Sequence, residues 1–230
     1  MDYFVFKGID SRTFDIKLNG VPPLQRGKKR VQQITIPGRA GTLTLSEGDE
    51  SYEPYIQGLA ISVPADQWAR VQRWLTGSGS LTLCNDPDRA QDAEVINQLN
   101  FQKVSKFIDY YKGQIQFYCQ PLKNDIAPAR QEVTDSAVIV NMGDVPEKPI
   151  ITVYGTGNIT IATDSGVLQV AEVNGGCIID CGAYEITNLE KTELLTGKST
   201  GDFPALPVGR SVVTVSGADH VSIERRQRYL

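Results

Sequence analysis

The chain has 230 residues, 22% of them charged, with 21 glycines and 12 prolines. That length holds one large or two small domains with cores of their own, and the composition excludes a disordered chain. The formal net charge of −4 is uneven: residues 1–131 carry 16 Lys/Arg against 14 Asp/Glu (+2), and residues 132–230 carry 7 against 13 (−6), which leaves no basic excess for a dedicated nucleic-acid surface.

Period-2 alternation dominates the first half. Phe14, Ile16 and Leu18 alternate with polar residues, as do Ile34 and Ile36, Leu43 and Leu45, and Leu59, Ile61 and Val63. Leu81 and Leu83, then Ile115, Phe117 and Cys119, follow the same rule. Apolar residues two apart share one face of a strand. Asn19-Gly20, Pro37-Gly38, Glu47-Gly48-Asp49 and Gly77-Ser78-Gly79 separate the runs as turns. Pro64–Leu75 breaks the pattern and predicts a helix, with Trp68, Val71 and Leu75 on one face and Trp74 beside them. Asp66 favours its start and Gly77 its end. A solitary helix among strands predicts a plug over the open face of a sheet, with Trp68 in the core.

Asn124–Gln131 reads as a linker, so the expected domains are 1–131 and 132–230. The second half predicts short strands at Ile150–Tyr154, Ile159–Thr163, Val167–Val173, Cys177–Cys181, Tyr184–Asn188, Ser211–Ser216 and Val221–Arg225. Gly155-Thr-Gly157 and Asn174-Gly175 read as hairpin turns between them. Strands at this spacing predict a β-sandwich. The expected fold class is therefore mostly β in two domains.

No run of about 18 apolar residues predicts a membrane span. The opening MDYFVFKGIDSR has no basic region followed by an apolar stretch, so synthesis and assembly in a cytoplasm are expected, with the four cysteines reduced. Cys177 and Cys181 fall about 13 Å apart along a straight strand, too far for one metal ion or a disulfide, so they are read as buried structural thiols. His220, the only histidine, falls in the apparent turn Ser216–His220 and limits Ser-His-Asp or Cys-His catalysis. Glu47, Asp49, Glu50 and Glu53 read as a solvated loop, not a paired-carboxylate cleft. Gly155-Thr-Gly157 lacks the third glycine and the helix of a dinucleotide site. No catalytic residue, metal site or cofactor is predicted, and the chain is not expected to be an enzyme. Arg26-Gly-Lys-Lys-Arg30 is the only dense basic run, and Arg225, Arg226 and Arg228 cluster near the C-terminus; phosphates or an acidic neighbour compete with plain solvation as the reading of both.

A resemblance adds to these readings. Phe4-Val-Phe-Lys-Gly-Ile-Asp-Ser11 followed by Phe14-Asp-Ile16, then Ile36-Pro-Gly-Arg-Ala-Gly41, resemble the distal tail protein (Dit) family of siphophages and prophages. Ala40 stands where the family usually has Asp, and both glycines are kept. The helix ending at Trp74-Leu-Thr-Gly-Ser-Gly-Ser-Leu81 and the strand Gln116–Pro121 match in kind and order. Asn141-Met-Gly-Asp144 with Pro149, then Phe203-Pro-Ala-Leu-Pro-Val-Gly209, complete a likeness over nearly the whole chain.

That likeness implies a tail-tube-like N-terminal β-sandwich with one helix and a galectin-like C-terminal β-sandwich. It implies a homohexameric ring in the virion tail, joining the tail-tube protein to a tail-tip or baseplate hub protein. Receptor-binding proteins would dock outside, and DNA would meet the ring only in transit. The loop at Arg26, Lys28, Lys29 and Arg30 and the turn at Pro37, Gly38, Arg39 and Gly41 are the expected assembly elements. The alternative is a carbohydrate-binding module, which would need an exposed aromatic platform; Tyr154 and Tyr184 are its candidates.

Overall fold

The computed structural model describes residues 2–46, 48, 51–105 and 109–230. The chain divides into two compact units, Met1–Asn124 with Leu230, and Asp125–Tyr229. The division falls at Asn124 rather than after Gln131. Ala129–Gln131, expected in a linker, begin a strand of the second unit, and the bend lies at Ile126–Pro128, where Pro128 withholds a backbone N–H.

The first unit contains β1 (Phe4–Phe6), β2 (Ile9–Asp10), β3 (Lys17–Leu18), β4 (Val31–Thr35), β5 (Thr42–Ser46), β6 (Tyr55–Pro64), α1 (Trp68–Trp74), β7 (Ser78–Leu83), β8 (Asp86–Val95), β9 (Phe101–Lys103) and β10 (Tyr110–Asp125). One sheet runs in the order β2-β1-β7-β8-β10-β6-β3, with β9 added to β10. Within it β6 pairs with β10 from Tyr55↔Cys119 to Pro64↔Tyr110. Alternate residues point inward as the pattern requires: Phe4 and Phe6, Leu59, Ile61 and Val63, Leu81 and Leu83, and Ile115, Phe117 and Cys119 are buried together.

The helix closes this core, with a difference from expectation. It is shorter than Pro64–Leu75, because Pro64 still belongs to β6 and residues 65–67 form a turn. Trp74, not Trp68, is the central aromatic. Its ring stacks on Phe4 at 5.4 Å between centroids and lies 4.9 Å from Phe14, and its Nε1 donates to the Phe6 carbonyl at 3.0 Å. Trp68 sits half-buried at the margin, against Phe101 at 4.6 Å.

Two further expectations change. Phe14 is not in a strand: Ser11–Phe14 is a 3-10 turn ended by Asp15 in the left-handed region (φ 53°), and only Lys17–Leu18 remain extended. Central strand β8, sequence DPDRAQDAEV, absent from the predicted elements, alternates apolar residues only at its end, where Ala93 is buried and Val95 packs against the core. Before them the inward Gln91 is held by hydrogen bonds. The Tyr55 hydroxyl donates to Gln91 Oε1 at 2.6 Å, and Gln91 Nε2 donates to Cys119 Sγ at 3.2 Å. At its start Asp86 meets the mostly buried Lys123 at 2.8 Å.

The second unit is a sandwich of two five-stranded antiparallel sheets. Its strands are β11 (Ala129–Val133), β12 (Ser136–Asn141), β13 (Ile150–Tyr154), β14 (Gly157–Thr163), β15 (Gly166–Val173), β16 (Cys177–Asp180), β17 (Glu185–Asn188), β18 (Ser199–Gly201), β19 (Gly209–Ser216) and β20 (His220–Arg225). One sheet is ordered β11-β20-β13-β16-β17 and the other β12-β19-β14-β15-β18. Ile151, Val153, Ile179 and Ile223 from the first face Ile159, Ile161, Leu168, Val170 and Val213 from the second across one core.

The predicted strands of this half lie within two residues of the observed ones, but two predicted hairpins do not form. Gly155–Gly157 links β13 to β14, and Asn174–Gly176 links β15 to β16; both carry the chain from one sheet to the other. Tight packing explains the glycines. A Cβ on Gly176 (φ +142°) would lie 2.4 Å from the Val153 carbonyl oxygen. His220 opens β20 instead of ending a turn, and its ring stacks on Tyr154 of β13 at 4.4 Å.

Candidate assembly interface

The two predicted assembly loops belong to a single arm. β4 and β5 pair only with each other, from Val31↔Ser46 to Thr35↔Thr42. Below them the pairing continues: the Arg30 N–H donates to the Ser51 carbonyl at 2.9 Å, Lys29 bridges Tyr52, and the Glu53 N–H donates to the Lys28 carbonyl at 2.7 Å. Arg26, Lys28, Lys29 and Arg30 therefore line the base of the arm. Arg26 lies near the Tyr52 ring, at 5.9 Å. Gly27 seats the base on the body, because a Cβ there would lie 2.7 Å from both the Glu53 carbonyl oxygen and Pro121 Cβ.

Pro37, Gly38, Arg39 and Gly41 form the tip. The Arg39 N–H donates to the Ile36 carbonyl at 3.2 Å, and Gly38 and Gly41 both hold positive φ, +81° and +83°. Such turns need a residue without a Cβ penalty. Ala40 replaces the turn-forming Asp of the resembled pattern, and the turn closes without it. Of the acidic group 47–53, Glu47, Asp49 and Glu50 lie outside the described residues; Glu53 is exposed at the arm's base.

The register sorts the arm's side chains onto two faces, since directly opposed residues point the same way. Ile34 opposes Leu43 and Gln32 opposes Leu45, with Ile36 two residues beyond Ile34 on the same side. Val31, Gln33, Thr35, Thr42, Thr44 and Ser46 take the other side. One face is thus aliphatic and the other rich in threonine. Among the described residues nothing in the unit covers either face: every residue from Val31 to Ser46 is exposed, and Ile34, Ile36, Leu43 and Leu45 remain 38–45% accessible. Their alternation signals an apolar face, but only the tertiary structure shows that the face is bare.

The remaining candidates have local roles. Cys119, Cys177 and Cys181 are buried free thiols; burial pushes Cys177 up to about 11 and Cys119 and Cys181 up to about 12, so all three stay protonated. Arg225 and Arg228 hold backbone: Arg225 Nη1 donates to the Val140 carbonyl at 3.1 Å, and Arg228 Nη2 donates to the Pro146 carbonyl. Near them Glu147, 1% accessible, has burial pushing its carboxyl above the usual range, opposed by Arg225 and Arg228. Tyr184 is 56% accessible, with Phe203 edge-on at 5.5 Å; Lys148 donates from Nζ to the Tyr184 hydroxyl at 3.0 Å. Among the described residues no helix is long and apolar enough to cross a membrane.

No family model and no curated protein matches the sequence. Among solved structures, the fold matches the crystal structure of the SPP1 Dit (gp 19.1) protein, described as a paradigm of the hub adsorption apparatus in phages that infect Gram-positive bacteria. The TM-score is 0.80 over 100% of both chains, at 15% identity. The chain as a whole, through both units, therefore has the fold of a phage tail-hub protein.

Proposed function

We propose that this chain is a structural, non-catalytic subunit of a phage tail: a distal tail protein that closes into a hexameric ring between the tail tube and the tip or baseplate hub. The observation that carries the reading is the full-length fold match, reached by a chain whose motifs also follow the Dit order. On this reading 1–131 is the tail-tube-like, ring-forming domain, its end adjusted to the division at Asn124, and the C-terminal sandwich is the galectin-like outer domain. The neighbours are further copies of the chain, the tube protein, the hub protein and receptor-binding or baseplate proteins, and the place is the virion tail. DNA passes through the lumen without a dedicated site. The subunit needs two different complementary surfaces, because a head-to-tail contact closes a ring only when the two differ.

Native mass spectrometry with negative-stain imaging tests this. The expected particle is a ring with a central hole and about six times the 25.2 kDa subunit mass. An assembly of any other number, or an open filament, overturns the hexameric ring.

A second reading has one observation in its favour. The Tyr184, Phe203 and Lys148 group is an accessible ring with a hydrogen-bonding cation beside it, the combination that sugars stack on. Titration with host wall polysaccharide, followed with Tyr184→Ala, separates the two: saturable binding lost in the variant supports a carbohydrate-binding module, and no binding removes it.

A further inference from the structure

The chain contains two Asn-Gly pairs, Asn19-Gly20 and Asn174-Gly175, and both lie at exposed bends. Such a pair is chemically unstable, because glycine has no side chain to keep its backbone nitrogen from the preceding amide. The attack closes a five-membered ring and needs only a local rotation, so it runs without a catalyst. Sequence and exposure do not separate the two pairs, but their hydrogen bonds do. The Asn19 N–H donates to the Ala60 carbonyl at 2.8 Å, and Asn19 Oδ1 accepts from the Ser62 hydroxyl at 2.9 Å. Ser62 is only 5% accessible, so turning the Asn19 side chain toward Gly20 leaves a buried hydroxyl that water does not satisfy. The Asn174 side chain makes no hydrogen bond among the described residues. One bond restrains this pair: the Gly175 N–H donates to Thr156 Oγ1 at 3.0 Å, between the two links that cross from sheet to sheet. Thr156 is exposed, so water readily takes its place.

From this we infer that Asn174 is a site of spontaneous deamidation, restrained by Thr156, and that the fold protects Asn19. Hydroxide removes the Gly175 amide proton, and the nitrogen attacks Asn174 Cγ. The Cγ–Nδ2 bond breaks, and Nδ2 leaves as ammonia with a proton from water. Water then opens the succinimide ring. Breaking the new Cγ–N bond restores the main chain with an aspartyl side chain. Breaking the bond from that nitrogen to the main-chain carbonyl carbon leaves an isoaspartyl link through the side chain. One water is consumed and one ammonia released per residue converted, and nothing is oxidised or reduced. The isoaspartyl link lengthens the main chain beside Gly176, where even a Cβ would lie 2.4 Å from the Val153 carbonyl oxygen. Conversion therefore loosens the crossing from β15 to β16.

The test incubates the full chain at mildly alkaline pH in heavy-oxygen water, folded and unfolded in guanidinium, and follows both pairs by peptide mass spectrometry. Uptake of one heavy oxygen marks each conversion that passed through the ring. In the folded chain Asn174 is expected to convert about tenfold faster than Asn19, and in the unfolded chain the two rates should come together. Thr156→Val should speed Asn174 by about threefold or more and leave Asn19 unchanged, with thermal melting to show that the fold is kept. Ser62→Ala should do the reverse, speeding Asn19 alone. Asn19 converting as fast as Asn174 in the folded chain overturns the site, as does a folded chain in which neither converts. A preference that persists in guanidinium overturns the structural cause, because the local sequence would then set it. An unchanged Asn174 rate in folded Thr156→Val removes Thr156 as the restraint.

Discussion

Two hairpins of this protein carry the same kind of pattern and meet opposite fates. In β14–β15, Ile159 and Ile161 alternate with polar residues and sit across from Val170 and Leu168, and all four are about 1% accessible. In the arm, Ile34 and Leu43 oppose each other in the same way and are 41% accessible. The difference is not in the ribbons. β14–β15 lies under a second sheet that supplies Ile151, Val153 and Ile179, whereas the arm forms a two-stranded sheet of its own that no element among the described residues buries. Alternation determines that one face is apolar; it does not determine what that face will touch.

Substitutions sharpen this comparison, and the largest effects belong in the covered regions. Trp74→Ala removes a ring that packs on Phe4 and Phe14 and leaves a cavity under α1. The expected cost is about 3–5 kcal/mol, read as a lower denaturant midpoint. In the covered hairpin, Ile161→Ala should cost about 2–5 kcal/mol by the same measurement. If both losses stayed under about 1 kcal/mol, the two cores would be wrongly drawn.

A smaller effect concerns Glu147. Its carboxyl titrates higher in the folded chain than in the unfolded one, because burial disfavours the charge. The stability this group contributes is therefore complete below the ordinary carboxylate range and is lost as pH rises through the raised value. Glu147→Gln should match the parent near about pH 4 and exceed it near about pH 8, in melts across that range. A parent that gains on the variant as pH rises would show that Arg225 and Arg228 outweigh burial there.

The smallest effect on folding belongs to the arm. Leu43→Ala should change monomer stability by no more than about 0.5 kcal/mol, although it is chemically as drastic as Ile161→Ala. A loss of 2 kcal/mol or more in an isolated monomer would mean that the arm's face is covered within its own chain, and the comparison with β14–β15 would fail.

By itself the sequence determined the local geometry wherever apolar residues alternate. Seven strands of the second half, the inward sides of β6, β7 and β10, and the presence of one helix among strands were all legible, because period 2 and period 3.6 are properties of the backbone. The turn at Pro37–Gly41 was legible for the same reason, since positive φ asks for glycine. Strand β8 was not, because its apolar alternation is only Ala93 and Val95, and the rest of its place is held by Gln91, Tyr55 and the Asp86–Lys123 pair. Nor was the exchange of Trp68 for Trp74, which depends on where the turn after Pro64 lets the helix begin. Asn174-Gly175 marks a sharp turn whether the chain returns along one sheet or crosses to another, and only packing against Val153 decides for the crossing. The candidate interface divides along the same line. Its basic base and glycine tip could be picked out one by one. That they form the two ends of one arm, with Ile34, Ile36, Leu43 and Leu45 left bare, was decided by tertiary structure, because burial depends on which distant segments arrive to cover a face.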